Sequence, residues 1–522
     1  MPAATKHPKS LEHKRPAPLS RRGASARLSR PHHRHPLPNA SAIPREALVE
    51  DLLFLRAVLA TARLDYLLIQ DTDRRPVIAI DQADRAVFAA VLADARQPVQ
   101  CSVVDAEIPH ATVTADAAFA LGPDARIFRV FRPRAQRNDG LRREQEAGVQ
   151  IQLWSFTGDT ITAPAPNVLT RSAIPAHEAV RTTVERYGHT WPTLQHMFAT
   201  HAGDVTFDID LVFSWVDGAD LQWQRQRAEA MAGHVVGAGD DSAARFRHVD
   251  ELRYALRSVH MYAPWVRQIF VATDCARPSW LADDQRVRFV RSEEFFADPS
   301  VLPTYNSQAV ESQLHRIPGL SEHFLYANDD MFFGQPVGPE IFFSPGGITK
   351  FIEDETRIGL GSPEKHRSGF ENAARVNRRL LHSRYGAVTT RHLAHAATPL
   401  RRSVMAELEA EFPEEFAATA ASPFRARDNI SVTNSLYHYY ALLSGRAVVQ
   451  HGAQARYIDT TTKAGLREMK TLLKHRSVDF FCLNDDADEE VSPRKRAKAM
   501  TKFLRSYFPI PAPWERPDPD IG

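Results

Sequence analysis

The chain of 522 residues, 43% hydrophobic and 25% charged, has a globular composition and is too long for one buried core, so two or three domains are expected. Its 65 basic and 63 acidic residues leave a net charge of +2, which argues against a dedicated nucleic-acid binder. No run of about 18 apolar residues offers a transmembrane segment, and the first residues lack the apolar stretch of a signal peptide; the expected location is cytoplasmic, with peripheral association at the inner face of the membrane left open.

In chain order, residues 1–44 are rich in Pro, His, Arg and Ser and carry too few large apolar side chains to offset chain entropy. A disordered tail is expected there. Its plainer reading is a solvated segment, and its functional one a basic arm for anionic lipid or polymer. From Arg45, EALVEDLLFLRAVLATARL has helical apolar spacing, YLLIQ and PVIAI read as strands, and QADRAVFAAVLADA as a second helix. CSVVDA, ARIFRVFR and VQIQLWSF follow as further strands, which makes residues 45–200 a small α/β domain without a catalytic constellation. Cys101, Cys275 and Cys482 are too widely spaced for a disulfide framework or a zinc site and are expected to be buried thiols.

Beyond Phe207 the strand-like runs end in acids: FDIDLVFSWVDGAD, WVRQIFVATD and HFLYANDD. Ligands in open α/β sheets sit outside the carboxyl ends of the strands, so these three ends are expected to converge. In the first run, Gly218 offers positive φ and close backbone approach, while Asp217 and Asp220 offer acceptors for ribose or sugar hydroxyls. In the third, Asn328, Asp329 and Asp330 follow an apolar strand; adjacent carboxylates need a cation or a proton between them, and magnesium is the usual one in phosphate chemistry. An Asx-type turn accounts for the same segment equally well.

Glu311 and His315 stand four apart on an expected helix, as a pair aimed at one ligand or as a structural hydrogen bond. His392 and His395 precede the amphipathic RRSVMAELEAEF, and a histidine near a bound phosphate suits a general base. Arg425 and Arg427, followed by Asp428 and Asn429, offer either a guanidinium fork for phosphate or a surface ion pair.

Together these segments resemble the Stealth family of bacterial capsule and exopolysaccharide phosphotransferases, which also includes the animal lysosomal-enzyme N-acetylglucosamine-1-phosphotransferase. The resemblance lies in IDLVFSWVDGAD (209–220), RFRHVDELRYALRSVHMYAPWVRQIFVATD (245–274) continuing through LPTYNSQAVESQLHRIPGLSEHFLYANDDMFFG (302–334), HLAHAATPLRRSVMAELEAEFPEEF (392–416) with FRARDN, and FFCLNDD (480–486). Residues 45–200 resemble the amino-terminal extension of its actinobacterial branch. The implied fold class is α/β, a Rossmann-like nucleotide-sugar transferase core over 201–522 behind the small α/β domain and the tail.

The resemblance implies transfer of a hexose-1-phosphate from a UDP-sugar donor to a hydroxyl of a polysaccharide acceptor, with UMP released and Mg2+ as cofactor. It assigns Asp330, with Asp329, to the metal and donor phosphates, Asp217 to the nucleotide end, His395 to the base and Arg425 to the phosphates. Glu311 is next in line should His395 not be the base. The animal enzyme's second histidine is absent from His395-Ala-Ala-Thr398. His392, three residues earlier, need not share the pocket, so a mild effect is expected of its loss. The alternatives are a metal-dependent glycosyltransferase releasing UDP and a non-catalytic polysaccharide-binding protein.

Overall fold

A computed structural model describes residues 42–95, 97–105, 113–121, 124–134, 148–232, 249–485 and 490–517. The expected disordered tail falls outside these, apart from its last three residues. There the structure moves the expected boundary: the first helix spans Pro44–Ala62, the Glu46 carboxylate reaches back to the Ile43 N–H at 3.0 Å, and Ile43 is buried in a cluster that includes Leu256 and Trp514. Ala42 and Ile43 are therefore part of the folded body.

Alternation organises the amino-terminal sheet, whose main path runs Tyr66–Gln70, Pro76–Asp81, Val149–Thr157, Ile127–Phe131, Gln100–Val103, Val113–Thr114. Leu68, Ile78, Ile80 and Ile151 point to the face covered by Leu52, Leu55 and Leu59 of the first helix. Leu67, Ile69, Val77 and Trp154 point to the other.

The second sheet is assembled outward from its middle. Ile209–Ser214 is central; the chain passes through helix Glu251–Tyr262 to Ile269–Ala272 and then Val287–Val290 on one side, and returns with His323–Asn328 on the other. These four strands are parallel, and Thr398–Arg401 closes the far edge antiparallel to His323–Asn328. Both faces are covered, which is why the strands read as nearly unbroken apolar runs. Leu211, Phe213, Val271, Leu325 and Ala327 pack toward helix Glu251–Tyr262. Val212, Phe270, Phe324 and Tyr326 pack toward helices Gly369–Tyr385, Arg402–Glu411 and Tyr437–Leu443.

On the first of those faces sits a small sheet in which Phe480–Asn484 pairs antiparallel with Met331–Phe333 and parallel with Ala455–Asp459. Stacked rings of Phe332, Phe481 and Phe508 join it to the chain's last segment. That segment is clamped back by Glu515, which accepts from Arg253 Nε at 2.6 Å, Arg257 Nε at 2.6 Å and Arg257 Nη2 at 2.7 Å. Along the edge strand, His438 Nε2 lies 3.2 Å from the Pro399 carbonyl, and the Arg401 N–H donates to the Tyr437 hydroxyl at 3.0 Å. The three cysteines are buried thiols, as expected. Among the described residues, no helix is long and apolar enough to cross a membrane.

Candidate active site

Because the sheet grows to both sides of Ile209–Ser214, the connections leaving that strand and its neighbour part in opposite directions and open a crevice at their carboxyl ends. The three acid-tipped ends do lie side by side, with Ser214 paired to Ala272 on one flank and to Asn328 on the other. A cleft of about 130 Å³ opens there, bounded by Ser214, Thr273, Cys275, Tyr305, Phe424 and Arg425. Its wall is aromatic: the rings of Tyr305 and Phe424 stack with centroids 5.4 Å apart, and Trp223 meets Tyr305 edge-on at 5.7 Å. Asp274 on the floor is held by the Ser292 N–H at 2.8 Å and the Ser292 hydroxyl at 2.7 Å.

In the Asp217-to-Asp220 turn one oxygen of each carboxylate already has a backbone partner. Asp220 caps helix Leu221–Met231, its Oδ1 accepting from the Gln222 N–H at 2.8 Å and the Trp223 N–H at 3.2 Å. That oxygen is committed to the backbone rather than offered to a ribose. Asp217 Oδ1 accepts from the Ala219 N–H at 2.9 Å, while the Asp217 N–H points at the Cys275 sulfur at 3.3 Å. Gly218 is buried, with its carbonyl taking the Gln224 amide at 2.5 Å, and it is not one of the glycines at positive φ. The turn places Trp223 and Arg227 of the capped helix on the cleft wall.

Glu311 and His315 also part company. The helix ends at Gln313 and tightens into a 3₁₀ turn, so His315 instead meets Glu409 at 2.8 Å. Glu311 faces inward, accepting from the Thr433 hydroxyl at 2.7 Å and from the Tyr326 hydroxyl at 3.3 Å. Burial pushes its carboxyl up, opposed by the Thr433 hydrogen bond and the Arg425 charge. Burial and the Glu311 charge raise the Tyr326 phenol, which stays a donor also within 3.0 Å of Asn328 Oδ1. Arg425 lies above this buried set: its Nη2 donates to the Ser307 hydroxyl at 2.9 Å, and its aliphatic stem rests on Gly369. A Cβ at Gly369 would stand 2.7 Å from Arg425 Cβ, so that bare backbone makes room for the arginine. Arg427 does not join it; exposed, it pairs with Asp428 at 3.0 Å. Asn429 is buried and accepts from the Asn306 amide at 2.9 Å, a structural tie.

Asn328 ends its strand, and Asp329 and Asp330 form the turn into Met331–Phe333. The turn is fixed from behind by the Leu483 N–H, which donates to the Asp330 carbonyl at 3.0 Å. All three side chains present hard oxygens, a donor set that fits a magnesium ion held through one or two carboxylates plus substrate phosphates and water. Among the described residues there is no cluster of three or more His, Cys, Asp or Glu able to cage a metal by themselves. Asp486, in the fourth block, lies outside the described residues.

The two histidines are closer in environment than their spacing suggested. His392, buried, stacks on Phe370 at 4.5 Å and 21°, and His395 tilts against the same ring at 6.3 Å and meets Tyr457 edge-on at 5.0 Å. Burial lowers the pKa of both, opposed in each by Asp354. Thr398 opposite Tyr326 puts the preceding turn, with His395, at the carboxyl end of the His323–Asn328 strand. The cleft lining contains Arg425 but neither His395 nor Asp329 and Asp330, which lie at the same edge of the sheet. Tyr305, Phe424 and Tyr326 were not singled out from the sequence; an aromatic pair 119 residues apart leaves no local pattern.

Four family models match in succession: Stealth protein conserved region 1 over residues 207–235, region 2 over 245–351, region 3 over 394–442 and region 4 over 470–521. The chain is 52% identical to the exopolysaccharide phosphotransferase CpsY of Mycobacterium tuberculosis over 97% of its length and 94% of that protein's. It is 50% identical to an exopolysaccharide phosphotransferase of Nocardia farcinica, covering 90% and 88%. Among solved structures, the galactosyltransferase LgtC with donor and acceptor sugar analogues is 10% identical with a TM-score of 0.30, covering 58% of this chain and 96% of that one.

Proposed function

This chain belongs to the Stealth family, and on that footing we propose that it transfers a hexose-1-phosphate from a UDP-hexose to a hydroxyl of a capsular or exopolysaccharide acceptor, releasing UMP. The observation that supports this reading best is a guanidinium, Arg425, set into an aromatic-walled cleft at the carboxyl ends of the sheet, beside the oxygen-rich turn Asn328–Asp330. Its relatives are named exopolysaccharide phosphotransferases, which agrees with that chemistry.

In this reading the acceptor oxygen attacks the β-phosphorus, a new P–O bond forms, and the bond to the bridging oxygen breaks with its electron pair leaving on UMP. The anomeric bond stays intact. His395 takes the acceptor proton on its imidazole, which burial keeps neutral and ready to accept at neutral pH. Arg425 binds phosphate oxygens through a planar fork of donors, steadied by Ser307 and by the Glu311 charge beneath. Asp330 and Asp329 would hold magnesium, whose charge screens the diphosphate and the transition state. Positioning and electrostatics supply most of the rate, because phosphoryl transfer needs little covalent help.

Incubation with a panel of UDP-sugars, magnesium and a polysaccharide acceptor, followed by identification of the nucleotide released, tests the proposal. UMP supports it. UDP identifies a glycosyltransferase instead, and absence of turnover with retained polymer binding identifies a binding protein.

A further inference from the structure

The molecule's net charge is only +2, yet its two carboxyl-terminal helices are strongly cationic. Helix Lys463–His475 connects the parallel strands Ala455–Asp459 and Phe480–Asn484, so it begins at their carboxyl ends, where Leu483 meets Asp330. Helix Pro493–Tyr507 begins at the same end: the Lys463 N–H donates to Glu490 Oε2 at 3.1 Å and the Val491 N–H to the Thr461 carbonyl at 3.0 Å. Their apolar sides, with Met469, Leu472, Met500 and Phe503, are buried in one core.

The outward sides are a different matter. Lys463, Arg467, Lys470 and Lys474 recur at helical spacing and are all exposed. Arg494, Lys498, Lys502 and Arg505 do the same on the second helix, with Lys495 beside them. Glu468 is the single acid in either helix, and Arg456 engages it at 3.4 Å. Arg496, the buried exception, faces Asp485 at 3.5 Å. What remains is a cationic track about 17 Å long, from helical rise alone, starting at the end of the fold that carries Asp330.

A membrane surface would draw apolar side chains into the interface as well as cations. None of the exposed large hydrophobic residues lies on these helices. An anionic polymer needs only a row of charges. We propose that this two-helix face binds the acceptor as an anionic polysaccharide and feeds its end toward the Asn328–Asp330 turn. The inference rests on the transferase reading above, in which every hexose-1-phosphate joined to a hydroxyl leaves a negatively charged phosphodiester, so the product of one round suits the track better than the substrate did.

The test compares the whole protein with a Lys470→Glu, Lys474→Glu, Lys498→Glu, Lys502→Glu variant, all four sites away from the turn. Binding to phosphorylated dextran, unmodified dextran and phosphatidylglycerol-containing vesicles is measured over a range of salt, without donor. Wild type should bind phosphorylated dextran but not unmodified dextran. The variant should lose at least about tenfold in affinity and show a flatter salt dependence, as expected when ion-releasing contacts are removed. Equal affinity of the two proteins overturns the proposal, as does binding of wild type to vesicles alone, which would assign the face to lipid. Should the variant melt early, the four Lys→Gln changes replace it under the same criteria. Because no donor is present, failure to release UMP in the turnover assay would reject the proposed reaction and leave this result standing.

Discussion

His395 can act as a base only while neutral, and burial lowers its pKa below the usual 6.5 with Asp354 opposing. The acid limb of kcat/KM is therefore expected below the ordinary imidazole value, and His395→Ala should abolish that limb and lower turnover by roughly a hundredfold or more while UDP-sugar affinity holds. Loss of affinity in step with rate would make His395 a phosphate or structural contact. His392 calls for a different outcome than the sequence suggested. Its ring is buried against Phe370, which also touches His395, so His392→Ala should lower the melting temperature and disturb His395 through that shared ring. Asp330→Asn keeps size but removes a charge suited to magnesium; transfer should vanish with the melting curve unchanged, and near-normal activity at saturating magnesium would reject the assignment.

Element by element, the sheet was legible where burial on both faces wrote long apolar runs, as in Ile209–Ser214 and His323–Asn328. It was less legible at short or polar strands. Arg391–Leu393 has three residues, Ala455–Asp459 buries only Ile458 fully, and Thr398–Arg401 contains a proline, which demotes any strand reading from sequence. These are the pieces that set His392, His395 and Tyr457, so the site's second half was readable only through family resemblance. Local chemistry also has more than one outlet: Asp220 fits a sugar hydroxyl and a helix cap equally well on paper, and the helix took it. Asp220→Ala should cost about 1 kcal/mol and weaken donor binding by loosening Trp223 and Arg227, while Asp220→Ser should restore both. Failure of serine to rescue would return Asp220 to ligand contact.

Across the whole molecule, the last ten described residues are structural. Trp514 is fully buried and the Glu515 side chain is 1% exposed between Arg253 and Arg257. Burial pushes the Glu515 carboxyl up, but its arginine partners bring it below its ordinary value of 4.5. Its contribution is complete above the unfolded value and is lost as pH falls through the folded one. Glu515→Ala, which strands two arginines, should cost about 3–5 kcal/mol near pH 7 and progressively less in acid, as followed by denaturant unfolding at several pH values. A pH-independent loss would mean that packing, not charge, holds the segment.

The edge strand Thr398–Arg401 bears on how copies of this protein behave toward one another. An open sheet edge is a template on which a second chain can add a strand. Here Pro399 has no N–H to offer, its carbonyl is engaged by His438, and the Arg401 N–H is taken by Tyr437. A passing chain finds no partner at those positions, so growth into fibres or strand-exchanged pairs is blocked along the margin that carries His395. Pro399→Thr combined with His438→Leu opens the margin, and concentrated samples should then scatter light increasingly with time while wild type stays dispersed; unchanged scattering would show that cover from the neighbouring helix alone is enough.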